Sequence, residues 1–352
     1  MLETCFLVCL PSDEITYNVT HATIYCQMNQ TYPQYVDFEL QEHVLSLWKK
    51  GDLVGVPTET VYGLSADAES DLAVAKIYSM KSRPQFNPLI IHVANIDIAK
   101  KYAQWNKIAE ILAQKFWPGP LTIVLPVNLP TMLSTLALAG GDTVALRAPA
   151  HSIFHALLEK WGRGIAAPSA NQSGRVSPTT AEHVRSEFGD SLYVVDGGAS
   201  DVGIESTVVD VSDGAVTILR PGVITREMIE EALSRESLVF SEESSRLTPH
   251  DSRPKSPGLM LSHYAPYIPV RLNATSVKSD EALLAFGANV PSGARATLNL
   301  SPSGNLIEAA ANLFAYLRKL DDAKHSCIAV MPIPNDGVGE AINDRLIRSS
   351  TV

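Results

Sequence analysis

Between residues 51 and 92 the chain reads as strand, polar turn, helix, basic turn and strand, and this order constrains the fold more than any other feature. The apolar run 53–56 ends in Pro57-Thr58-Glu59-Thr60. A helix-like segment, 71–78, leads to Lys81-Ser82-Arg83-Pro84, and a second strand, 88–93, carries His92. A strand, a helix and a strand in so short a span predict an α/β unit, because helix and sheet must bury their apolar faces on each other. Hydroxyls, two cations and a histidine fall at the ends of these elements. A rigid scaffold can hold such groups around a small anion, and the set suits binding a nucleotide and an amino acid together.

The alternation continues downstream. Residues 38–51 read as a helix that stops at Gly51 after Lys49 and Lys50. Residues 97–116 read as one or two helices, and strands are expected at 121–127 and at 143–148, the latter carrying Arg147. The helix 153–161 precedes a strand at 164–167 and the turn Pro168-Ser169-Ala170-Asn171. Thr180 is placed to cap a helix over 181–188, with short strands at 192–195, 206–211 and 215–220. Residues 236–258, rich in Ser, Pro and charge, read as a linker. Beyond it, 296–300, 306–320 and 327–333 read as a βαβ unit, with Leu306, Ala310, Leu313, Leu317 and Leu320 at helical spacing. The first thirty or so residues show neither periodicity and read as a disordered extension or a start assigned upstream of Met28.

Composition narrows the function classes. At 352 residues the chain can hold one large and one small domain. A formal charge of −10 argues against a broad basic face for nucleic acid, although a local basic pocket remains open. Cys5, Cys9, Cys26 and Cys327 lack zinc-like spacing, so reduced thiols in a cytoplasmic protein are expected. No apolar run reaches the roughly 20 residues of a membrane helix, and no Lys or Arg precedes Lys49 as a targeting segment requires.

Neither a Walker loop nor a dinucleotide fingerprint is present. Lys81 and Arg83 can hold a polyphosphate, one as a point charge and one as a fork; the alternative is a solvated helix end. Ser169 and Asn171 can give directional hydrogen bonds to a flat ligand or can satisfy their own turn. Arg147, ending an apolar strand, needs an anion from the protein or from a substrate. Gly203-Ile204-Glu205-Ser206-Thr207 and Leu219-Arg220-Pro221-Gly222 repeat this pattern at two more strand ends. His92 alone reads as structural as readily as functional.

Taken in order, PTETVYGL (57–64), KSRPQFNPL (81–89), FWPGPLT (116–122), LRAP (146–149), APSANQSGRVSPT (167–179), GIESTVVD (203–210), ILRPG (218–222) and SPGLMLSHYAP (256–266) resemble the threonylcarbamoyl-AMP synthase family, in its long two-domain Sua5 form. The resemblance covers roughly residues 36 to 348. It implies an open, twisted, mixed-sheet α/β domain with a concave pocket over 36–235, a linker or lid over 236–267, and a small Rossmann-like domain over 268–352, after an extension, 1–35, with no assigned role. The implied enzyme is a nucleotidyltransferase that joins L-threonine, bicarbonate and ATP into threonylcarbamoyl-adenylate and releases pyrophosphate. Its product supplies the t6A modification of tRNA through separate transfer proteins.

The resemblance further implies that Thr60, His92, Arg147, Ala167 and Ser206 hold threonine or its carbamate. Lys81, Arg83, Asn87, Thr143, Ser169, Asn171, Ser177 and Arg220 would hold ATP, with Lys81 and Arg83 closest to the chemistry and Tyr264 folding over the nucleotide. Mg2+ is expected to arrive with the triphosphate, not in a protein cage. Ser65, Ser82, Leu259 and Ser262 depart from the usual pattern, which bears on lid dynamics and affinity more than on activity. The rival classes are a double-stranded RNA-binding module of the same fold and a carbamoyl-phosphate-dependent relative. Net acidity counts against the first, and the lack of acylphosphatase-like or zinc-finger segments counts against the second.

Overall fold

A nine-stranded mixed sheet organises the first body of the protein, and a four-stranded parallel sheet organises the second. The computed structural model describes residues 37–234 and 263–351. The expected extension 1–35, the linker 236–258, most of the lid, and Leu259 and Ser262 therefore lie outside the described residues or nearly so.

In the first body the strands are β1 (Val54–Val56), β2 (Gly63–Asp67), β3 (Ile90–His92), β4 (Leu121–Pro126), β5 (Thr143–Arg147), β6 (Ile165–Ala166), β7 (Tyr193–Val194), β8 (Thr207–Asp210) and β9 (Thr217–Arg220). Their order across the sheet is β7-β1-β2-β6-β3-β5-β4-β8-β9. Helices α1 (Phe38–Lys49), α2 (Asp71–Lys81), α3 (Ile96–Tyr102), α4 (Lys107–Phe116), α5 (Ser152–Trp161), α6 (Ala181–Phe188) and α7 (Arg226–Leu233) accompany it. Six of them begin at residues whose side chains accept the orphan N–H groups of the first turn: Asp37, Ser70, Asn95, Asn106, Thr180 and Thr225. Of the one or two helices expected within 97–116 there are two, parted after the extended residue Ala103.

The second body contains β10 (Val270–Arg271), β11 (Ala282–Ala285), β12 (Ala296–Asn299) and β13 (Ile328–Val330), in the order β10-β13-β11-β12. Helices α8 (Leu306–Leu320) and α9 (Val338–Ser350) complete it. The expected βαβ unit is present, but β11 lies between its two strands. Among the described residues no helix is long and apolar enough to cross a membrane.

The two bodies share one core. Val61, Val176, Val202, Ile204 and Val223 of the first pack with Leu313, Phe314, Leu317 and Leu346 of the second. Gly203, at φ +73°, sits so close to α8 that a Cβ there would lie 2.4 Å from the Ala311 carbonyl oxygen. Only glycine fits that position.

Two of the unusual serines are structural. Ser65, fully buried, accepts from Trp48 Nε1 at 3.1 Å and donates to the Val54 carbonyl at 2.7 Å, so it ties α1 to β1 and β2. Ser82 follows α2 in the left-handed conformation (φ 50°, ψ 40°), where glycine is at ease and serine is not. Ser82→Gly is expected to stabilise the protein by about 1 kcal/mol, a rise in Tm of about 2 °C. A thermal melt checks this, and a lower Tm would show that the serine hydroxyl earns its place.

Candidate active site

Most of the side chains expected at the site gather at one end of the large sheet, because several strands end or begin there. His92 ends β3 and Arg147 ends β5, and the two are register partners, which puts their side chains side by side on one face. Thr122 near the start of β4 reaches Ser206 just before β8, hydroxyl to hydroxyl at 2.8 Å. Arg220 closes β9 and donates through Nε to the Ser206 carbonyl and through Nη2 to its hydroxyl, both at 3.1 Å. A cavity opens among these groups. Of the residues expected at the site, Thr60, Arg83, His92, Arg147, Ala167, Ser169, Ser206, Arg220 and Tyr264 line it.

Lys81, Asn87, Asn171 and Ser177 stand immediately behind this lining. The Lys81 ammonium donates to the carbonyls of Ser169 and Asn171, so it organises the 169–171 turn. Arg83 donates to the carbonyls of Asn87 (3.2 Å) and Pro88 (3.0 Å). Lys81 and Arg83 are 1% and 8% exposed, which rules out a solvated helix end. Among the described residues neither forms an ion pair with a carboxylate. Thr143 is the outlier. It opens β5 on the same strand face as Arg147, about 13 Å away along the strand, outside the cavity lining.

Arg147 has a protein anion. Its Nη2 lies 2.7 Å from Glu59 Oε1 as an ion pair without hydrogen-bond alignment, while Nη1 donates to Thr60 Oγ1 at 2.9 Å and Nε to the Gly119 carbonyl at 3.1 Å. Thr60 is thereby held between Arg147 and Thr58. The Asn171 amide partly satisfies its own turn by donating to the carbonyls of Gln172 and Arg175.

Several buried polar atoms here have no hydrogen-bond partner among the described residues: Glu59 Oε2, Asn171 Oδ1, His263 Nδ1 and Tyr264 Oη. Buried polar groups are nearly always satisfied, so a concentration of exceptions around one cavity indicates a site built for a polar ligand. Tyr264, at φ 63° and fully buried, lines the cavity on one side and stacks on Phe314 of α8 on the other, with ring centroids 5.4 Å apart.

The electrostatics fit an anion. Burial, then the neighbouring Arg83, holds the Lys81 ammonium well below its usual value. Burial likewise lowers Arg83 to about 10 and lowers Arg220. Cations desolvated together are costly until an anion joins them. Burial and then Arg147 push His92 far down, while burial, Arg83 and Lys81 do the same to His263. His183 on α6 falls to about 4, through burial and then Arg318 and Lys319.

These histidines stay neutral when folded, whereas the unfolded chain takes up protons below about pH 6.5. Their contribution to stability is therefore present above that pH and is lost as pH falls. Thermal melts from pH 7.5 to 5 are expected to show a declining Tm, with a shallower decline for His183→Gln. A Tm independent of pH across this window would show that the histidines are not held neutral.

Sequence reasoning missed Glu59 and Glu205 as buried carboxylates and the cavity-lining Thr58, Tyr62 and His263. Glu59 carried a usable signal, since a carboxylate next to the end of an apolar strand needs a cation as much as Arg147 needs an anion.

Two family models divide the chain. One, described as telomere recombination and covering the Sua5, YciO and YrdC proteins, matches residues 46–222, and one described as the threonylcarbamoyl-AMP synthase C-terminal domain matches residues 224–351. The chain is similar to the threonylcarbamoyl-AMP synthase of Bacillus subtilis, 37% identical over 321 residues, which cover 87% of this chain and 91% of that one. The Pyrococcus abyssi protein of the same name is also 37% identical, over 86% of this chain and 91% of its own. The crystal structure of P. abyssi Sua5 complexed with L-threonine superposes with a TM-score of 0.80 at 33% identity, covering 90% of this chain and 95% of that one. Matched through both bodies, the chain belongs to the threonylcarbamoyl-AMP synthase family in its two-domain Sua5 form.

Proposed function

We propose that the protein is a nucleotidyltransferase that makes threonylcarbamoyl-adenylate and pyrophosphate from L-threonine, bicarbonate or CO2, and ATP. The observation that carries this reading is a cavity lined by the desolvated cations Arg83 and Arg220 together with Thr60, His92 and Arg147, with buried Lys81 just behind the wall. In the reaction the threonine amine bonds to the carbon of CO2 and loses a proton. A carbamate oxygen then attacks the α-phosphorus of ATP, and the bond to the β-phosphate oxygen breaks with its electron pair leaving on pyrophosphate.

No covalent nucleophile is needed for this step. Three anions must meet, so charge cancellation and alignment supply the catalysis. Lys81 and Arg83 would hold the polyphosphate, with Asn87, Ser169, Asn171, Ser177, Arg220 and Tyr264 around the nucleotide. Thr143, farther along β5, would meet a phosphate only if the triphosphate extends along that strand. Thr60, His92, Arg147, Ala167 and Ser206 would surround threonine and its carbamate. Arg147, already paired with Glu59, would offer threonine a fixed hydrogen-bonding edge more than a free charge.

Mg2+ would enter with ATP, as part of the MgATP substrate; among the described residues no group of three or more His, Cys, Asp or Glu is placed to hold a metal ion. We assign residues 36–235 to the catalytic domain and 268–352 to the second domain; of the connection 236–267, His263 and Tyr264 line the cavity. The reaction would take place in the cytoplasm, with the adenylate passed to proteins that modify tRNA.

Pyrophosphate release by purified protein, with threonine and bicarbonate omitted in turn, tests the proposal. Release that needs both, with a new adenylate, supports it. Release indifferent to threonine overturns it. An RNA-binding role fits less well, because these cations are buried in and behind one cavity and cannot track a phosphate backbone.

A further inference from the structure

The second body reaches the site through one arginine. Arg345 on α9 is fully buried, and its guanidinium spans two loops of the first body. Its Nε meets Glu205 Oε2 at 3.2 Å, its Nη2 donates to the Glu205 carbonyl at 3.4 Å, and its Nη1 donates to the Pro221 carbonyl at 2.6 Å. Asp344 provides a second carboxylate at 3.1 Å from Nη1. Glu205 itself lines the cavity and precedes Ser206, and Pro221 follows the cavity-lining Arg220. Ser206 and Arg220 are themselves bonded, so Arg345 staples the two strand ends whose spacing sets that pair.

The same carboxylate extends the linkage to a third position. Glu205 Oε1 accepts the Ser177 hydroxyl at 2.5 Å. From α8, Arg318 donates to the Val176 and Ser177 carbonyls and pairs with Glu187 at 2.8 Å. Ser177 is therefore held by its side chain through Glu205 and Arg345, and by its backbone through Arg318. Only a planar fork with donors in several directions can span Glu205 and Pro221 at once, which a lysine ammonium cannot do.

We infer that Arg345 is a positioning residue of the nucleotide half of the site, acting through Glu205 and Pro221 on Ser177, Ser206 and Arg220, so that the site is incomplete without the second body. This inference rests on the synthase reading for its choice of ligand. The interface is also part of the shared core, and a purely structural contact predicts a different outcome.

The experiment compares Arg345→Met, Arg345→Lys, Glu205→Gln and the double variant Arg345→Met/Glu205→Gln in the full chain, by thermal melting, by pyrophosphate release and by calorimetric titration with MgATP. Arg345→Met alone strands a buried carboxylate and is expected to lower Tm. The double variant removes both charges at similar volume, and its Tm is expected to return towards wild type. Its KM for ATP is expected to rise at least tenfold, with a smaller rise in its KM for threonine through Ser206, and the loss in the double variant is expected to be smaller than the product of the single losses. Arg345→Lys is expected to recover stability better than ATP affinity.

A folded double variant with wild-type KM for ATP and wild-type MgATP affinity overturns the inference while leaving the synthase reading intact. Wild-type protein that binds MgATP but releases no pyrophosphate overturns the synthase reading. The MgATP titrations of the variants then still decide the role of Arg345. Wild-type protein that does not bind MgATP overturns both.

Discussion

Alanine at position 83 is expected to lower threonine-dependent pyrophosphate release by about a hundredfold to a thousandfold with the fold retained, the cost of losing one preorganised charge at a reacting phosphate. The retained fold follows from the partners of Arg83, which are the carbonyls of Asn87 and Pro88 and not a carboxylate. Its removal strands no buried anion, and it relieves repulsion among Lys81, Arg83 and Arg220. The cost is the loss of two carbonyl contacts, roughly 1–3 kcal/mol each at most. Arg83→Lys would keep the charge and lose the fork, so partial activity is expected. Pyrophosphate release and a thermal melt on the same preparations check this pair of outcomes. Full activity in Arg83→Ala would remove the residue from the chemistry.

Arg147→Ala is expected to behave in the opposite way, with stability lost first. Arg147 and Glu59 are 4% and 0% exposed in their side chains. Deleting one partner of a buried ion pair costs roughly 3–5 kcal/mol because the other charge is left uncompensated. Thr60 would also lose the donor that fixes its hydroxyl. Whatever folds is expected to need more threonine, with a smaller change in its ATP requirement. The double variant Arg147→Met/Glu59→Gln separates the two effects: stability should recover and the threonine requirement should stay high. A double variant with ordinary threonine dependence would show that Arg147 serves the fold alone.

The contrast between the two arginines shows what was legible in the sequence. Both were visible as cations at the ends of regular elements: Arg147 ends an apolar strand and so needs an anion, whereas Arg83 could as well have been a solvated helix end. Their difference was not visible. It depends on whether a carboxylate from elsewhere in the chain arrives beside them, and that depends on topology. Arg345 is the extreme case, since its partner Glu205 is 140 residues away and no element was expected around it from the sequence.

Among the elements, the apolar strands and the capped helices were readable from periodicity and N-cap chemistry. Strand β2, Gly63-Leu64-Ser65-Ala66-Asp67, was missed because small and polar residues fill it although every position is buried. Strand β11, Ala282–Ala285, is composed of residues that favour helix, and its neighbours in the parallel sheet override that preference. Helix α9 has no side-chain cap at Gly337 to announce it. Helix α7 was announced by Thr225 and could have been found.

The wall shared by the two bodies has a consequence for how the chain is made. Val61, Val202, Ile204 and Val223 are synthesised well before Leu313, Phe314 and Leu317, which cover them. At ordinary translation rates that interval lasts about ten seconds, during which the first body can fold but keeps an apolar flank open to solvent. Such an exposed apolar flank is the kind of surface that holdase chaperones cover. A fragment ending at residue 234 is expected to sediment as aggregates when expressed alone, and to be rescued when the remainder of the chain is supplied as a separate polypeptide.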